Sequence, residues 1–399
     1  MSCETPTRRG LLAAGSSLAA WALIPRLASA ATRDPRFVLV ILRGALDGLA
    51  FLPPVGDPAY ASLRGDLALP TTGAGAALRL DGMFGLNPNM PGLKALYDDG
   101  QALMLHAVAT PYRERSHFDG QDVLENGTPG PAGAETGWLN RAASGMPALG
   151  RVQDSGLFVA GATVPLVMRG PSPVMSWSPG SLRAPADDML ARLGRLYGDR
   201  DPQLLGALTE GQRLDAALGR GTGGPRGPAG AYVALAGAAG RALARPDGPR
   251  IAALALDGWD THAAEGPASG RLGHLLQGLD AALASLRAEL GPAWAQTVVA
   301  VATEFGRTAH ANGTDGTDHG TAAAAFLAGG AVKGGRVISD WPGLAPAALH
   351  EGRDLRPTRD LRAVLKGVLR DHLGLPDGML ARTVFPGSGD VAPLRDLLA

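Results

Sequence analysis

Arg250-Ile-Ala-Ala-Leu-Ala-Leu256, then Ser269 to Leu290, then Thr297-Val-Val-Ala-Val-Ala302: this stretch decides the fold. Its two flanks are short apolar runs without alternation, the pattern of strands covered on both faces. Between them Leu272, Leu275, Leu276, Leu279, Leu283, Leu286 and Leu290 recur at helical spacing and mark one apolar face. Strand, helix and strand in that order read as a βαβ unit with a right-handed crossover. Working outward, Arg36 to Leu42 is another continuous apolar run, ending in the glycine-punctuated loop Arg43-Gly-Ala-Leu-Asp-Gly48. Further buried strands are expected at Ala102–Val108, Gly156–Ala160, Pro165–Met168 and Ala323–Ala328. The whole predicts an α/β fold, doubly wound, with a mostly parallel central sheet and helices on both faces. A glycine- and proline-rich stretch near 219–230 reads as a flexible surface loop within one domain spanning 31–399.

Composition narrows the chemistry. Hydrophobic residues make up 45% and charged residues 19%, which fits a globular chain. A formal net charge of zero gives no sign of a nucleic-acid surface. The single cysteine, Cys3, falls in the leader described next, so the mature chain has no thiolate for catalysis or metal binding. Oxygen and imidazole groups remain.

That leader is Thr7-Arg8-Arg9-Gly10-Leu11-Leu12, a weak apolar run to Leu27, and Ala28-Ser29-Ala30. Paired arginines ahead of a mildly apolar segment and an A-x-A site read as a twin-arginine signal peptide over residues 1–30. The run is too short and polar for a stable membrane span. The expected partner is the twin-arginine translocase, and the expected location is periplasmic or extracellular.

In open parallel sheets, ligands bind beyond the carboxyl ends of the strands. Asp47 follows the first strand, Ser116 and His117 follow the second, Asp260 and His262 follow Leu256, and Glu304 and Arg307 follow Ala302. Asp318 and His319 precede the strand at Ala323. Imidazole and carboxylate suit a divalent ion such as Zn, Mn, Fe or Mg. Each fragment also has a plainer reading. Asp260-Thr-His262 reads as a hydrogen-bonded turn, Glu304 with Arg307 as a buried ion pair, and Ser116 as a helix N-cap. Walker loops, G-x-G-x-x-G after a strand and G-x-S-x-G are absent. His106 reads as a core histidine inside a strand, and His310 as solvated.

Taken in order, the motifs look familiar. The twin arginines, Leu-Arg-Gly-Ala-Leu-Asp-Gly (42–48), Arg-Ser-His-Phe-Asp-Gly-Gln-Asp (115–122), Gly-Trp-Asp-Thr-His-Ala (258–263), Thr-Glu-Phe-Gly-Arg-Thr (303–308), Gly-Thr-Asp-His-Gly (316–320) and Gly-Gly-Ala-Val-Lys-Gly-Gly (329–335) resemble the DUF1501 family over essentially the whole chain. That family is grouped with the alkaline phosphatase and sulfatase-like superfamily. The resemblance implies an alkaline phosphatase-like fold and a hydrolytic site with one or two metals. By it, Asp47 resembles the first-strand metal carboxylate, and Ser116 stands at the nucleophile's place. Asp260 and His262 resemble a metal loop, Glu304 stands for an Asp, and His319, after Asp318, resembles the final metal histidine. Phe305 departs from the pattern where a histidine is expected, which points toward a one-metal or a degenerate site. The function implied is a metal-dependent hydrolase of a phosphate or sulfate ester, on a small molecule or a glycan, with Ser116 as nucleophile and Arg307 or His117 stabilising charge. The alternative is a non-catalytic exported binding or cell-envelope protein of the same fold.

Overall fold

Alternation along one strand explains both layers of the molecule. In a computed structural model that describes residues 33–146, 156–179, 187–218 and 227–399, β1 (Arg36–Arg43) runs through the middle of the sheet. Val38, Val40 and Leu42 point into one core, with Leu276, Leu279 and Leu283 of the helix Arg271–Leu290, Ala238 and Ala239 of the helix Pro228–Ala244, and Leu93 of the helix Pro91–Asp98. Phe37, Leu39 and Ile41 point into the other, with Val364, Leu365 and Val368 of the helix Leu361–Leu373 and with Trp138 of the helix Trp138–Ala143. Successive side chains of a strand face opposite ways, so an unbroken apolar run requires helices on both sides. The α/β architecture read from the sequence is present.

The remaining strands are a two-residue pair, β2 (Leu78–Arg79) and β3 (Gly85–Leu86), then β4 (Ala102–Ala109), β5 (Leu157–Ala160), β6 (Val174–Trp177), β7 (Ile251–Asp257), β8 (Thr297–Thr303), β9 (Ala323–Ala328), β10 (Arg336–Ile338) and β11 (Arg359–Asp360). The main sheet has the order β10-β4-β9-β8-β1-β7-β5-β6, with β11 also paired to β4. Every pairing in it is parallel except those of β9, which runs antiparallel to both β4 and β8. The reversal of β9 matters for the site: the start of β9 lies at the same edge as the ends of β1, β4, β7 and β8. The βαβ unit of β7, the long helix and β8 straddles β1, which pairs with both strands.

One expected strand is corrected. Leu166–Met168 forms a single 3-10 turn instead of a strand at 165–168. Pro165 offers no N–H to a ladder, its carbonyl accepts from the Met168 N–H at 3.0 Å, and Glu125 takes the Val167 N–H at 3.1 Å. Residues Pro35–Ala399 form one compact unit. The expected leader at 1–30, with Cys3, and residues 219–226 of the glycine-rich stretch lie outside the described residues. No helix among the described residues is long and apolar enough to cross a membrane.

Candidate metal centre

Five chain segments meet at that edge, and Gly44 allows two of them to touch. Its φ is +120°, and a β-carbon there would lie 2.4 Å from the backbone nitrogen of Asp260. Only glycine fits both conditions, so the β1 loop can lie against the β7 loop. The Gly44 N–H donates to Glu304 Oε1 at 2.8 Å, which ties in the end of β8.

Three imidazoles gather around the carboxylate of Asp260. His117 Nε2 is 3.5 Å from Asp260 Oδ2, while His262 Nε2 and His319 Nε2 are 3.0 and 3.4 Å from Oδ1. His117, Asp260 and His319 offer ligand atoms that all lie within 4.8 Å of one another. Each ring is aimed by an acceptor at its far nitrogen. His117 Nδ1 faces Glu304 Oε1 at 2.8 Å, His319 Nδ1 faces the Arg115 carbonyl at 2.8 Å, and His262 Nδ1 faces Asp318 Oδ1 at 3.1 Å. Outer acceptors of this kind fix the tautomer and leave Nε2 with its lone pair.

That arrangement fits a cation. His262 Nε2 and His319 Nε2 stand 3.0 Å apart with their other nitrogens both directed at acceptors. Two lone pairs at that distance need a proton or a metal ion between them. Ligand nitrogens around a tetrahedral zinc, at the usual bond length, lie roughly 3.3 Å apart. His117 Nε2 is buried and has no hydrogen-bond partner. Neutral imidazole with carboxylate is a donor set for Zn, Mn or Fe.

Electrostatics agree with the geometry. The bond to Glu304 raises the pKa of His117, making its Nε2 the stronger base for which a proton and a cation compete, while burial lowers that of His319 and favours its neutral ring. Burial opposes ionisation of Asp260, but the guanidinium of Arg307 and the neighbouring histidines outweigh it and hold its carboxyl below the ordinary range. Glu304 is likewise buried, and bonds from His117, Gln121 and Gly44 keep it ionised.

The other expected residues fall into place around this centre. Glu304 and Asp318, expected as metal ligands, are not among the converging ligand atoms; they bond the Nδ1 atoms of His117 and His262 instead. Arg307 is fully buried and committed: Nη1 donates to Asp260 at 2.6 Å, Nε to Thr317 Oγ1 at 3.1 Å, and Nη2 to the Thr317 carbonyl. With its nitrogens taken by the protein, it positions Asp260 and does not reach a transferring group. Nor do Glu304 and Arg307 pair with each other. Ser116 sits at the N-cap of the helix His117–Asn126, but its side chain makes no capping bond.

Asp47 is a correction. It is 1% exposed, caps the short helix Gly48–Phe51 through the N–H groups of Leu49 and Ala50, and forms an ion pair with the fully buried Arg64. Arg64 also lies 3.9 Å from Glu265, whose Oε2 accepts from Thr317 at 2.8 Å. Asp47 therefore belongs to a closed group beneath the centre. Sequence reading missed Arg64, Glu265 and Gln121. Phe305, at the place of the missing histidine, stacks on His117 with ring centroids 4.9 Å apart.

Fold and site together define an α/β protein with a histidine–carboxylate centre at the carboxyl edge of its sheet. The chain belongs to the family described as protein of unknown function (DUF1501), whose model matches residues 34–383. No protein of curated function matches the sequence. Similar solved structures include Ps i-CgsB, at 11% identity and TM-score 0.41, covering 90% of this chain and 76% of that one. Others are the C-terminal periplasmic domain of EcEptC from Escherichia coli in complex with Zn (9%, TM-score 0.37, 74% and 72%) and the phosphonate monoester hydrolase of Agrobacterium radiobacter (14%, TM-score 0.33, 86% and 74%).

Proposed function

We propose that this protein is an exported, metal-dependent hydrolase of a phosphate or sulfate ester. The observation that carries the reading is the convergence of His117, Asp260 and His319, with His262 beside them, each ring aimed by an acceptor on its far nitrogen. A divalent ion held there supplies Lewis acidity toward an ester oxygen and lowers the pKa of an attacking hydroxyl. Ser116 is the nucleophile of this reading. Its hydroxyl is free of the capping bond, and the carbonyl just before it, that of Arg115, orients His319. Arg307 keeps Asp260 ionised and fixed. The paired arginines at 8 and 9 support export by the twin-arginine translocase to the periplasm or beyond.

The test is metal content, by plasma mass spectrometry, of protein recovered after native export without chelators. Near-stoichiometric metal that disappears in His319→Ala, with ester turnover lost in Ser116→Ala, is the expected result. Metal-free, well-folded protein would sink the reading. A non-catalytic exported binding protein is the second reading, favoured by Phe305 at the place of a ligand and by the closure of Asp47. Bound metal with no turnover across a broad ester panel would select it.

A further inference from the structure

A cleft of about 390 Å³ opens beside the candidate metal centre, lined by Arg43, Phe118, Gln121, Asp122, Glu125, the segment Thr163–Leu166 and Arg169. It shares a wall with the centre. Gln121 lines the cleft and donates to Glu304 Oε1 at 3.1 Å, on the same oxygen that holds His117, and Phe118 follows His117 in the chain. Exposed apolar side chains occurring singly are ordinary. Phe118, however, is 90% exposed at the rim of a cleft, and Val164, Pro165 and Leu166 add apolar surface to the lining.

The charges in the cleft are unevenly committed. Glu125 is paired with Arg43 and takes the Val167 N–H at 3.1 Å. Asp122 accepts from Asn126 at 3.2 Å and from the Ala132 N–H. Arg169 donates only its Nε, to the Val164 carbonyl at 3.0 Å, and is exposed. The cleft therefore combines an open aromatic face, an apolar wall and one arginine fork without a carboxylate partner among the described residues. Aromatic faces take flat rings, and a guanidinium fork takes carboxylate, sulfate or phosphate.

We propose that this cleft binds a single six-membered ring carrying a negative charge, stacked on Phe118 with its anionic substituent on Arg169. Its place beside the centre makes the ring the portion of the substrate that leaves, an assignment that rests on the hydrolase reading; ring binding itself does not. A sugar acid and an aryl acid share this chemistry, and the experiment separates them.

Full-length protein loaded with zinc is examined by saturation-transfer NMR with D-glucuronate, D-glucose, benzoate and benzyl alcohol as probes. The expected result is transfer to one anion, weaker or absent for its neutral counterpart, with affinity reduced roughly tenfold or more in Phe118→Ala and in Arg169→Ala. Glucuronate binding assigns a sugar, and benzoate binding an aryl group. Both residues are exposed, so fold and metal content should persist, and a thermal melt with metal analysis verifies this. Transfer to neither anion, or transfer untouched by both substitutions, overturns the proposal. Anion binding through Phe118 in a protein that holds no metal and turns over no ester supports the subsite while removing the hydrolase.

Discussion

Glu304→Gln tests the candidate metal centre from behind His117, without removing any of its converging ligand atoms. In the native protein Glu304 Oε1 gathers His117 Nδ1 at 2.8 Å, the Gly44 N–H at 2.8 Å and Gln121 Nε2 at 3.1 Å, while Oε2 takes Thr303 Oγ1 at 2.9 Å. A carboxylate satisfies all four as an acceptor. A glutamine keeps the shape but has one acceptor oxygen; placed at the Oε1 position it still takes the three N–H groups, while its amide stands in for Oε2 and donates to the Thr303 hydroxyl, which then donates only to the Leu42 carbonyl. The charge that makes His117 a stronger base is lost as well. Losing an outer carboxylate of this kind lowers metal affinity about 10- to 100-fold, roughly 1.4–2.7 kcal/mol. The assay is competition between the apoprotein and a chromophoric chelator, followed by zinc titration of native and variant chains, with circular dichroism to verify the fold. Native-like zinc affinity in a folded Glu304→Gln protein would refute the claim that Glu304 acts on the metal through His117.

Two further outcomes concern the closed group beneath the centre. Arg64→Ala leaves Asp47 buried without its cation and should cost about 3–5 kcal/mol in urea unfolding; a loss under about 1 kcal/mol would contradict its burial. The pH dependence divides between the two carboxyls. Burial opposes ionisation of Asp47, but Arg64 outweighs it and its carboxyl lies below the ordinary 3.8, so its contribution is full above that value and fades as pH falls through the lower folded one. Glu265 is raised well above 4.5, chiefly by burial and then by Asp47, so its folded form holds the proton and stability declines as pH rises from 4.5 toward the folded value. Glu265→Gln should remove that decline in urea midpoints between pH 4.5 and 8; an unchanged slope would count against it.

How much of this was legible in the sequence follows from where the signals come from. Unbroken apolar runs gave β1, β4, β7, β8 and β9 nearly to the residue, because a buried strand has no polar face to confuse the pattern. Leu166–Met168 misled because an apolar tripeptide after proline reads the same as a strand start or a 3-10 turn. β6 was missed at the sheet's end, where it pairs only with β5 and three of its four residues, all but Trp177, are partly or fully exposed. Asp260 and His262 were named as ligands and His117 as a charge-stabilising residue because they follow strands, and His319 as a ligand because it precedes one; that question sees position but not partners, and it did not foresee His117 beside Asp260 and His319. Arg64 lies in Tyr60–Arg64, a stretch that looks like a surface turn, and only the closed fold sets it against Asp47. Sequence spacing likewise suggested a Glu304–Arg307 pair, whereas Arg307 reaches forty-seven positions back to Asp260.

These placements bear on the number of cations. In the arrangement that the resemblance implies, a second metal would use the first-strand carboxylate, and Asp47 already has a permanent cation in Arg64, two backbone N–H donors and almost no solvent. It would also need a ligand at position 305, where an apolar ring packs against His117. Among the described residues, one set of ligand-type atoms converges, and it contains neither position. To take a second ion the chain would have to expel Arg64 from a site where it is 0% exposed, and the ion would have to outbid a contact that needs no desolvation on binding. Zinc titration of the native chain, read by calorimetry and by metal content after desalting, should therefore stop at about one equivalent. A second tight equivalent would mean that Arg64 moves, and the description of Asp47 as closed would be wrong.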